Sequence, residues 1–98
     1  MTFDEYQKLA GRTMNNDLTW KQSISNYTLG LNGEAGEVAE EVKKCLYHNR
    51  LLDVDAELGD VLWYIAALCN TLNVKLETIA EQNIQKLKER YPEGFRTT

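Results

Sequence analysis

Apolar residues recur at helical spacing along most of the chain, and four segments follow from that pattern. Phe3, Tyr6, Leu9 and Ala10 mark the first, over about Phe3 to Asn15. Thr2 followed by Glu5 fits a capping box at its start, and Asn15–Asn16–Asp17 ends it. A polar connection carrying Trp20 comes next. The second segment runs from about Ser25 to Tyr47, with Leu31, Val38, Val42, Cys45 and Leu46 on one stripe. Gly30, Gly33 and Gly36 weaken its interior by up to about 1 kcal/mol each relative to alanine, which points to close approach by another backbone or by a ligand. The third begins after Asp53, a good N-cap, and reaches about Leu72. It is apolar around most of its circumference and so predicts a central helix. The fourth spans about Leu76 to Tyr91 and stops at Pro92, which drives the preceding residue out of helical geometry. No period-2 segment competes, so the pattern predicts an all-α four-helix bundle in one domain over residues 1–98.

Size and charge then narrow the class. A chain of 98 residues buries only about 60–65% of its unfolded surface, so long amphipathic helices leave apolar faces that favour self-association. A net charge of −4 argues against a duplex nucleic-acid binder, which needs cations along the phosphates. An acidic chain that binds anions must bring local cations or recruit a metal. The longest apolar run, about Val61 to Cys69, is too short to cross a bilayer. No charged, then apolar, opening resembles a secretory signal. Cys45 and Cys69 have no CxxC spacing and read as reduced thiols in a cytoplasmic protein.

The acidic residues break this otherwise ordinary pattern. Glu34 and Glu37 lie three apart on the second helix, about 60° apart around its axis, and Glu41 falls between them one turn on. Val38 and Cys45 share that side, so the pair sits inside the apolar stripe. The third helix repeats the arrangement: Glu57 and Asp60 are three apart, with Val61, Tyr64 and Leu68 as angular neighbours. Buried unpaired carboxylates cost several kcal/mol each, and like charges in one pocket add to that. Protonation, pairing with lysine or arginine, or a divalent cation can relieve them. A single glutamate of this kind is most simply a solvated helix face. Two such pairs on two apolar helices favour Mg²⁺, which takes carboxylate oxygens together with substrate phosphates.

Asn83, Lys86 and Arg90 share one face of the fourth helix and form a basic stripe, which on its own also reads as a solvated helix end beside the macrodipole. Acidic pairs for metal and cations for phosphate together describe a triphosphate site. A ferritin-like di-iron centre would need Glu-x-x-His pairs. The one histidine, His48, has Cys45 three residues before it and reads as a partner for the helix C-terminus.

Gly33–Glu34–Ala35–Gly36–Glu37–Val38–Ala39–Glu40, followed after Glu37 by 19 residues and then Glu57–Leu58–Gly59–Asp60–Val61–Leu62, resembles the ExxE…ExxD signature of the MazG family. Asn83 to Pro92 resembles that family's closing helix, and the resemblance covers about Tyr27 to Phe95. It implies an all-α bundle completed between subunits of a homo-oligomer, dimer or tetramer. It implies Mg²⁺ (or Mn²⁺ in its place) on Glu34, Glu37, Glu57 and Asp60, with Asn83, Lys86 and Arg90 as substrate contacts. The implied reaction is (d)NTP hydrolysis to monophosphate and pyrophosphate at the α-phosphorus, as house-cleaning of nucleotide pools, with Glu37 or Glu41 orienting the water.

Trp20 and Tyr64 match positions near the base in dCTP-type relatives, although both also read as core or interface aromatics. Lys44, a further candidate substrate contact, stands where those relatives tend to carry another aromatic, a departure from the cytosine pattern. The sequence leaves two further readings: a phosphoribosyl-ATP pyrophosphohydrolase, whose pattern matches more loosely, and a non-catalytic helical interaction module.

Overall fold

The computed structural model describes residues 1–96 and contains four helices: α1 Phe3–Gly11, α2 Trp20–Tyr47, α3 Asp55–Leu72 and α4 Leu76–Arg90. Among the described residues there is no strand. Each boundary has a local cause. Thr2 caps α1 through its side chain, and Glu5 reaches back to the cap, completing the expected box. A second box, Thr19 with Gln22, starts α2 five residues earlier than the apolar pattern predicts. Trp20 therefore opens a helix and does not lie in a connection. The first helix ends at Gly11, four residues short of expectation, where the chain passes into turns. Asp53 is not the cap of α3: Val54 occupies that position, with no side-chain hydrogen bond. Asn73 ends α3 in the left-handed region, at φ 57°, and its N–H returns to the last turn.

The helix apolar on most sides is the central one, since α3 packs on α1, α2 and α4. Its Ala66 and Ala67 are fully buried, and small side chains there let neighbouring helices approach. The core is small: Ala10, Ala66, Cys69 and Leu76, with Tyr6, Leu62, Trp63 and Ile65 packed around them. A polar knot beside it fixes α1 to the α3–α4 turn. Gln7 donates to Asn70 Oδ1 at 3.0 Å and to the Val74 carbonyl at 2.8 Å, and accepts from the Leu76 N–H at 2.8 Å. Both cysteines are free, Cys69 buried and Cys45 half-buried. No helix among the described residues is long and apolar enough to cross a membrane.

Much apolar surface is left uncovered. The chain exposes 7744 Å², against about 5,700 Å² for a compact monomer of its mass. Its radius of gyration is 16.3 Å, against about 13 Å for a compact domain of this length.

Candidate nucleotide and metal site

The long α2 and the central α3 form the most extensive helix pair, and both carboxylate pairs lie on it. Glu34 and Glu57 are half-buried, while Glu37 and Asp60 are exposed. The four sit at the rim of the helix pair and not within its apolar seam, a milder placement than the stripe arithmetic predicts. The other three still bear on Glu34. The carboxyl of Glu34 is held above the ordinary glutamate range by partial burial first, then by the negative charges of Asp60, Glu37 and Glu57. Asp60 also acts on α1: partial burial, then Asp60's charge, raises the Tyr6 hydroxyl.

Crowding of this kind is normally relieved by a lysine or arginine. Among the described residues the one ion pair is Lys44 with Glu41, at 3.5 Å, and none of the four carboxylates is paired. That pairing gives Lys44 the ordinary helix-surface role, and places it about 15 Å along α2 from Glu34. Among the described residues no three His, Cys, Asp or Glu side chains converge to metal-ligating distance. A hard divalent cation fits the set by the chemistry of its donors, four carboxylates with no soft ligand among them and no cation of their own.

Tyr64 is the aromatic that the fold brings to this rim. It lies one turn after Asp60, and its ring covers Gly30, which lies one turn before Glu34. A Cβ at position 30 would come within 2.5 Å of Tyr64 Cζ and 2.8 Å of Cδ1. The sequence predicts close approach to the α2 glycines by a backbone or a ligand; at Gly30 the neighbour is instead a side chain. At Gly33 and Gly36 a Cβ would meet nothing within 4 Å. Trp63 meets Tyr64 edge-on at 5.0 Å, and Tyr27 meets both rings, at 5.7 and 6.4 Å.

The remaining candidates are placed elsewhere. Trp20 lies about 21 Å along α2 from Glu34. Its indole N–H donates to the Thr71 carbonyl, and the ring is 62% exposed. Asn83, Lys86 and Arg90 ride on α4, which touches α1 and α3 but not α2, and residues 81–90 are exposed throughout. Within one chain, the cations of α4 are not brought against the carboxylates of α2.

Three residues near the site escaped the sequence reading. Tyr27 is 2% exposed, and its hydroxyl has no hydrogen-bond partner among the described residues. It falls seven residues before Glu34, on the same helix face, and that spacing is its only sequence signal. Tyr6 reads from sequence simply as a core position. Arg50 lies in the α2–α3 connection, where no periodicity marks it.

Acidic pairs on two neighbouring helices of an all-helical chain are a donor set suited to phosphate-ester or anhydride chemistry. The profile of the MazG nucleotide pyrophosphohydrolase domain matches residues 22–95, and the chain belongs to that family. It is also similar to the Gene 37 protein of Mycobacterium phage L5, with 46% identity over 81 residues, 74% of this chain and 70% of that one. No solved structure gives a significant match.

Proposed function

We propose that the chain is a Mg²⁺-dependent nucleoside triphosphate pyrophosphohydrolase, converting a (d)NTP and water to the monophosphate and pyrophosphate. The observation that carries this reading is the negative charge of Asp60, Glu37 and Glu57 bearing on Glu34, with no cationic partner for any of the four among the described residues, in a chain of this family. These four residues would hold Mg²⁺, and bound there it supplies neutralisation of the phosphates and a more acidic water. Glu37, exposed at the rim, is the member of the set best placed to orient that water as well. Glu41 is the weaker candidate for this, because Lys44 already engages it. Tyr64 offers a ring held by Gly30, Tyr27 and Trp63 on which a sugar or base can rest. House-cleaning of nucleotide pools is the matching role.

The working unit in this reading is a homo-oligomer. The surface excess of about 2,000 Å² per chain over a compact monomer exceeds the roughly 800 Å² each partner contributes to a standard interface. A second copy seated on it would cover the apolar faces and offer a route for Asn83, Lys86 and Arg90 to reach a carboxylate rim. The direct test is incubation with a panel of NTPs and dNTPs, with Mg²⁺ or EDTA. Metal-dependent monophosphate and pyrophosphate, lost in Glu57→Gln, is expected. Diphosphate with orthophosphate would overturn the reading.

A further inference from the structure

We infer that Arg50 is the phosphate contact this chain supplies to its own site, an assignment that rests on the pyrophosphohydrolase reading above. Beside the carboxylate rim lies a depression of about 480 Å³, lined by Glu41, Arg50, Leu51, Asp53, Ala56 and Glu57. It is formed by the last turns of α2, the connection and the first turn of α3. Glu57 belongs both to this depression and to the group that acts on Glu34, so the depression opens directly off the proposed metal site.

Arg50 is the one cation in that lining, with three carboxylates around it. It nevertheless makes no ion pair with any of them, and Glu41 takes Lys44 instead, at 3.5 Å. Among the described residues its guanidinium makes no ion pair. Paired phosphate oxygens fit a guanidinium in two parallel hydrogen bonds, a geometry that a lysine cannot reproduce. A polyphosphate approaching so acidic a lining also needs a cation within reach of its oxygens. The stripe on α4 makes no ion pair with any of these carboxylates among the described residues, and α4 makes no contact with α2. The connection supplies that cation, and its ligand class is the polyphosphate end of a nucleotide or free pyrophosphate.

Calorimetric titration of the full chain with inorganic pyrophosphate in Mg²⁺ tests this without requiring turnover. Arg50→Ala should weaken binding about tenfold or more, Arg50→Lys should restore only part of it, and Lys21→Ala, at a remote exposed cation, should leave it unchanged. The thermal shift produced by Mg²⁺ alone should be the same in all four proteins, showing that the variants fold and keep the acidic set. Arg50→Ala binding as tightly as wild type, or no pyrophosphate binding by the wild type, would overturn the assignment. Normal nucleotide hydrolysis by Arg50→Ala would remove Arg50 and leave the pyrophosphohydrolase reading standing. Arg50-dependent pyrophosphate binding by a protein that hydrolyses no nucleotide would do the reverse.

Discussion

Replacing Gly30 by alanine isolates the contact that joins the two halves of the site. The added methyl would stand 2.5 Å from Tyr64 Cζ and 2.8 Å from Cδ1. Carbon atoms rest at roughly 3.5 Å or more, so ring or helix must retreat by about 1 Å. The ring is not free to swing, because Trp63 meets it at 5.0 Å and Tyr27 at 6.4 Å. Overpacking of this kind costs about 1–3 kcal/mol, against which alanine regains up to about 1 kcal/mol of helix propensity. The net expectation is a loss of about 1–2 kcal/mol. Urea unfolding measures it as a lower midpoint at unchanged slope. Gly33→Ala is the control, since a Cβ there meets nothing within 4 Å in the chain. A Tyr64→Leu background should abolish most of the Gly30→Ala penalty, and the double-mutant cycle reports the coupling. A Gly30→Ala protein as stable as Gly33→Ala, or a penalty that persists without the tyrosine ring, would refute the reasoning.

Two further perturbations test the account away from that contact. Because the folded chain raises the Glu34 carboxyl, it binds that proton more tightly than the unfolded chain does. This contribution to metal-free stability is complete below the ordinary glutamate value and is lost as pH rises through the raised folded value. Unfolding midpoints in EDTA should fall over that window in wild type and fall less in Glu34→Gln; equal slopes in both would count against crowding at the rim. Gln7→Ala removes three hydrogen bonds that tie α1 to the α3–α4 turn. It should cost about 2 kcal/mol while leaving the Mg²⁺-induced thermal shift intact, and a loss of that shift would mean that α1 organises the acidic site.

The helices were legible where periodicity and caps coincide. Thr2 and Glu5 announce α1, and the continuous apolar run of α3 announces its central place. The start of α2 was missed because Thr19–Gln22 is a capping box in front of polar residues, where no apolar stripe draws the eye. The paired carboxylates were legible because three-residue spacing fixes their common face whatever the tertiary fold. Their depth was not, since a helical stripe gives direction and the neighbouring helix decides burial. The same limit applies to Asn83, Lys86 and Arg90. They do share a face of α4, but which helix that face meets is a property of packing, and α4 packs on α1 and α3. Tyr27 and Arg50 carry weaker marks, one a single heptad spacing and the other a position in a connection. Gly30 shows the converse: a helix-weakening residue whose meaning, room for the Tyr64 ring, was half visible in advance.

Hydrolysis in ¹⁸O-labelled water, with both products weighed by mass spectrometry, tests the central claim most directly. Water attack at the α-phosphorus beside Glu34, Glu37, Glu57 and Asp60 predicts one labelled oxygen in the monophosphate, none in pyrophosphate, and no reaction in EDTA. Label in the pyrophosphate, or a nucleoside diphosphate among the products, would contradict it.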